Sequence, residues 1–141
     1  MGDDEFWDLY IGAIIEIEIA GRTQCVRGPN AEPLPVDAPM FVLTAYNPGG
    51  EDRDDSLNEV SERALEHELS SDGAMFWPAL GRSPDGSWSE PGVAVSGVDR
   101  TQACAYGDRY GQLAIYELTE DQVHVVRCDD VKVVRTAERR K

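Results

Sequence analysis

The sequence predicts an α+β domain: a mixed, largely antiparallel sheet in the order β-β-β-α-β-β-α-β-β, with two helices packed on one face. Three observations predict it. Residues alternate between apolar and polar near both ends of the chain, the period of half-exposed strands. Two stretches between them carry capping signatures, and the first runs on at helical apolar spacing. Turn-forming Gly, Pro, Asn and Asp separate these segments, so consecutive strands favour antiparallel pairing.

Ile15, Ile17 and Ile19 alternate with Glu16 and Glu18 as a first strand, and Gly21-Arg22 turns the chain into a second over Thr23 to Arg27. Four prolines between Gly28 and Pro39 exclude helix and central strand, leaving a surface loop. Met40 to Ala45 is a compact third strand, ended by the turn Tyr46-Asn47-Pro48-Gly49-Gly50 and an acidic segment from Glu51 to Asp55. Ser56 and Glu59 form a capping box that opens the first helix. Its apolar stripe is Leu57, Val60, Ala64, Leu65 and Leu69, and Asp72-Gly73 ends it.

Ala74 to Leu80 and Gly92 to Val98 read as strands around the turn Ser83-Pro84-Asp85-Gly86. Asp99 and Gln102 make a second capping box for a helix running to about Arg109, stopped by Gly111. Gln112 to Leu118 and Gln122 to Cys128 then form a closing hairpin, with Val131 to Val134 as a candidate extension. One domain is expected over residues 1–134, and the basic tail 135–141 is expected to fray.

Composition narrows the function classes. The chain has 141 residues, enough for one core. No stretch approaches the roughly 20 apolar residues of a membrane span, and the start, Met1-Gly2-Asp3-Asp4-Glu5, lacks the basic and apolar regions of a secretory signal. Cys25, Cys104 and Cys128 are odd in number and widely spaced, so reduced, mostly buried thiols and a cytoplasmic location are expected. A net charge of −14 disfavours direct binding to nucleic acid or anionic membranes. It fits genome composition, salt adaptation or a surface that mimics DNA.

An ordered set of residues resembles a known pattern. Thr44-Ala45-Tyr46-Asn47-Pro48, Ser56 with Asn58 and Arg63, Trp88-Ser89-Glu90-Pro91, and Tyr110-Gly111-Gln112 with Ala114-Ile115 resemble the bacterial family catalogued as domain of unknown function 3293. The likeness spans about residues 40 to 118, and a strand beginning near Tyr10 is compatible with it. Gly92 replaces a small polar residue and Leu113 an amide. The resemblance supports the fold and implies no activity.

Motifs for phosphate loops, dinucleotides, zinc proteases and serine hydrolases are missing. His67 and His124 read as surface or boundary residues, and no base is placed beside Cys104 or Cys128. Glu51, Asp52, Asp54 and Asp55 match no calcium loop, so neither metal nor cofactor is expected. The candidate ligand-binding set is Asn47, Asn58, Arg63, Trp88, Glu90 and Gln112. Amides, a guanidinium, an aromatic face and a carboxylate suit a planar or nucleotide-like ligand. In that reading Arg63→Ala abolishes binding. Each also has a structural role open to it: Asn47 capping a turn, Arg63 pairing Glu59 or Glu66, Glu90 pairing an arginine, Trp88 covering the core. The alternative function is an acidic protein-interaction module or nucleic-acid mimic with a basic protein partner. Whether the chain is an enzyme is left open, with Glu90 as the general acid or base if it is one.

Overall fold

The structure, a computed structural model, describes residues 3–141. Its elements are α1 (Asp3–Ile11), β1 (Ile14–Ile19), β2 (Arg22–Arg27), β3 (Met40–Leu43), a 3-10 turn (Pro48–Gly50), α2 (Asp55–Ser71), β4 (Met75–Arg82), β5 (Ser89–Ser96), α3 (Arg100–Arg109), β6 (Ala114–Leu118), β7 (Gln122–Arg127) and β8 (Lys132–Glu138). The strands make one eight-stranded sheet, β2-β1-β4-β5-β3-β6-β7-β8, with every neighbouring pair antiparallel.

The expected mixed sheet with two helices on one face is therefore corrected. The sheet curls into a half-barrel with three helices, and both of its faces carry core. Strand alternation shows why. In β3, Met40 and Val42 join an inner cluster that draws on β1 to β7 and the Trp7 ring of α1, while Phe41 and Leu43 join an outer cluster under α2 and α3. A strand apolar on both faces needs cover on both, and α1 supplies the second cover. The strand expected near Tyr10 is the end of that helix, and β1 begins at Ile14.

Curling brings the outermost strands together. Gly28 at the end of β2 donates its backbone N–H to Arg139 O just past β8, at 2.9 Å. Arg139 is 1% exposed, and its guanidinium donates to the carbonyls of Val26, Glu32, Thr119 and Glu120. A buried guanidinium is tolerated only with its donors satisfied, and here carbonyl oxygens do so. Residues 135–141, expected to fray, thus supply half of β8 and the clasp between the sheet edges.

The helices differ in how they follow the sequence. In α3 the Asp99–Gln102 capping box is formed, with Gln102 N donating to Asp99 Oδ1 at 2.8 Å and Asp99 N to Gln102 Oε1 at 2.9 Å. In α2 the expected Ser56–Glu59 box is replaced by Asp54, whose carboxylate accepts from Ser56 N at 2.8 Å. Its buried stripe is Asn58, Glu62, Leu65 and Leu69, whereas Leu57 and Val60 are more than half exposed. The helix is rotated so that two polar residues face inward, because polar groups of the loop after β3 need partners there.

Candidate functional site

A cavity of about 410 Å³ opens at one end of the half-barrel. Phe6, Leu9 and Tyr10 of α1 form one side, and Val42 to Thr44 at the end of β3 another. The β4–β5 hairpin contributes Trp88 and Glu90, the loop after β3 contributes Asn47, and the chain entering β6 contributes Gln112 and Leu113. Tyr10 and Tyr116 stack at 4.6 Å with 20° between their planes, and both line the cavity. Their hydroxyls are spent on backbone: Tyr10 donates to Ala114 O and Tyr116 to Tyr10 O, each at 2.8 Å.

Asn47 carries the geometry of its loop. Its φ of 47° lies in the left-handed region, which asparagine tolerates better than most residues. Its side chain faces two ways: Nδ2 donates to Glu90 Oε2 at 3.3 Å, and Oδ1 accepts from Arg53 N at 3.0 Å and Asn58 Nδ2 at 2.9 Å. Asn58 is 1% exposed and fully partnered, since its Oδ1 also accepts from Asn47 N and Arg53 Nε and its Nδ2 reaches Arg53 O. Arg53 continues the lattice, donating to Ala45 O, Leu57 O and Ser61 Oγ.

The opposite wall is tied to the same loop. Gln112 Nε2 donates to Tyr46 O at 2.9 Å, and Gly49 N donates to Gly111 O at 2.7 Å. Gly111 has φ +74°, and a Cβ there would lie 2.7 Å from Pro48 Cβ, so glycine permits this crossing. Gly92 matters similarly, because a Cβ would lie 2.4 Å from Leu43 O, where β5 passes β3. At the hairpin tip, the Asp85 carboxylate accepts from Ser83 and Ser87, which holds its pKa down to about 2. That tip carries Trp88 over Gly81.

Of the six residues expected to bind ligand, Asn47, Trp88, Glu90 and Gln112 line the cavity, and two do not. Asn58 lies behind the wall as a positioning residue. Arg63 is exposed on α2 and does not line the cavity. The arginine that organises the site is Arg53, read from sequence only as a member of an acidic run. Its place between Asn47 and the helix start was the available signal. The α1 residues were also missed, although Phe6, Trp7, Tyr10 and Ile11 repeat at helical spacing behind acidic residues. Glu62 was missed because it interrupts an apolar stripe. It is 9% exposed, accepts from Ala45 N at 2.8 Å, and burial raises its pKa to about 7.

Chemically, the cavity offers one carboxylate among aromatic rings. Burial raises the Glu90 pKa above its ordinary value, the Asn47 amide and Trp88 indole partly oppose this, and Asp52 adds to it. Such a group can bind a donor or exchange a proton. Among the described residues no group of three or more His, Cys, Asp or Glu is arranged to hold a metal ion. No helix among them is long and apolar enough to cross a membrane.

A family model described as protein of unknown function (DUF3293) matches residues 43–115, more than half of the chain. The chain belongs to this family. In this DUF3293 protein the matched segment carries Thr44, Asn47, Trp88, Glu90 and Gln112 of the cavity together with Arg53 and Asn58, whereas α1 and Tyr116 lie outside it. No curated protein and no solved structure matches the chain.

Proposed function

We propose that this DUF3293 protein is a cytoplasmic small-molecule-binding domain whose cavity takes a planar ligand such as a base or nucleoside ring. The observation that carries the reading is that Asn47, Trp88, Glu90 and Gln112, from separate parts of the chain, line one concavity walled by Tyr10 and Tyr116. Aromatic faces give a flat ring contact area, and a few polar groups at fixed positions orient it. The phosphates of a nucleotide are not part of the proposal. Among the described lining residues there is no arginine or lysine, so a phosphate would face Glu90 with no cation to pair it. The cytoplasmic setting is supported by three free cysteines, two of them buried.

A thermal-shift screen of planar heterocycles tests the reading, because a ligand of the native state raises its melting temperature. Hits are expected to weaken about tenfold or more in Trp88→Ala, where a stacking face is lost, and to persist in Arg63→Ala. Hits that ignore Trp88→Ala and Gln112→Ala, or none across a broad screen, would refute it.

A further inference from the structure

We infer that the ligand is a cation: a planar aromatic amidinium or protonated amine whose positive group lies against the Glu90 carboxylate, beside the Tyr10–Tyr116 stack and the Trp88 ring. The inference rests on the cavity being a ligand site, and adds the charge of what enters it.

Glu90 is poor in donors. Three half-buried or buried acids of the sheet and helices have an arginine: Glu16 has Arg82, Glu68 has Arg109 and Glu117 has Arg100, whereas Glu62, which does not line the cavity, has none among the described residues. Among the described residues no such ion pair involves Glu90. The two phenols near enough to influence it, Tyr10 and Tyr116, donate to backbone carbonyls instead. What remains is an amide N–H at 3.3 Å from Asn47 and the Trp88 indole, against the roughly four acceptor positions of a carboxylate. An amidinium supplies two parallel N–H donors of the right charge.

The surroundings select the same sign. Arg53 is turned to Ala45, Leu57 and Ser61, and Arg82 is held by Glu16, so neither is free to serve the carboxylate. The charged groups that bear on Glu90 from neighbouring elements are Asp52, before α2, and Glu62, within it, both acids. Aromatic faces attract a cation in place of an anion. The mouth is apolar, with Leu9, Leu113 and Trp88 exposed around it, which suits a flat hydrocarbon ring behind a charged head. A net charge of −14 steers cations toward the protein from a distance.

Benzamidine, benzamide and benzoate share one shape and differ in charge, so NMR titration of the full chain with each separates shape from sign. Signals of Trp88, Gly92 and Leu113 are expected to shift saturably with benzamidine, with an affinity on the order of millimolar for so small a probe. Benzamide should bind about tenfold or more weakly, and benzoate should not saturate. Glu90→Gln should reduce benzamidine to the level of benzamide while leaving benzamide unchanged. Wild-type affinity for benzamidine should rise with pH as Glu90 ionises. Equal binding of benzamide and benzamidine at these residues would overturn the charge and leave the ligand site standing. Unaltered benzamidine binding in Glu90→Gln, or shifts confined to surface acids, would also overturn the charge. Cavity signals unmoved by all three probes would overturn both readings.

Discussion

Glu90 and Glu62 flank the same turn of chain after β3, and burial raises the pKa of each, yet their surroundings differ. Glu62 is sealed between α2 and β3, where one oxygen takes the Ala45 N–H and lies 3.4 Å from Thr44 Oγ1, and the other has no partner. Glu90 instead faces a cavity. A perturbed carboxylate is thus not in itself a sign of function. Glu62 spends its acceptor on the backbone that shapes the loop, while Glu90 keeps its acceptors toward the space a ligand can occupy. Asn58 and Arg53 join the two regions by fixing Asn47, which touches Glu90.

The largest expected effect falls on that joint. Asn58→Ala removes four hydrogen bonds and strands the Asn47 N–H and the Arg53 Nε–H, so urea unfolding should show a loss of about 3 kcal/mol. A loss below about 1 kcal/mol would mean that the lattice does not hold the loop.

Next comes pH. The folded pKa of Glu62, about 7, lies above its ordinary 4.5, so between these values the folded state binds more protons than the unfolded one. The contribution of this group is therefore fully present below about pH 4.5 and is lost as pH rises through about 7, by an amount on the order of 3 kcal/mol. General repulsion among surface acids runs in the same direction, so the difference from Glu62→Gln isolates the contribution. That variant should flatten the fall between pH 5 and pH 8 (approximate limits set by the titration range). An unchanged slope would remove the contrast between the two carboxylates.

Glu90→Gln should act in the same direction but less: a small gain in stability at neutral pH, because a poorly paired buried charge is gone, together with loss of the preference for cations. A variant that unfolds would make Glu90 structural. Smallest of all, Arg63→Ala should change stability by no more than about 0.5 kcal/mol and leave binding intact, since its side chain is exposed and outside the cavity.

Local chemistry explains what could be read in advance. The β1–β2 hairpin follows from Ile15-Glu16-Ile17-Glu18-Ile19 and Gly21, and α3 from its capping box, because the signals lie within a few residues of one another. Asn47, Trp88, Glu90 and Gln112 stood out as polar or aromatic residues beside turns, and turns at one end of a sheet gather side chains. The rotation of α2 was not readable. Leu57 and Val60 make as good an apolar stripe as Leu65 and Leu69, and only the unsatisfied groups at Ala45 and Asn47 favour Asn58 and Glu62 inside. Arg63 was preferred to Arg53 for the same reason: spacing along a helix does not reveal which side meets the loop.

Alternating and helical apolar periods, turn residues and one capping box determined seven of the eight strands, two of the helices and the place of the loops, since each depends on neighbours in the chain. Whether the sheet stayed flat or curled, which face each helix covered, and the clasp of Arg139 on β2 were decided by tertiary structure. The clasp pairs groups more than a hundred residues apart and the α2 rotation pairs groups on separate elements, where burial leaves a polar atom no partner except the one the fold delivers.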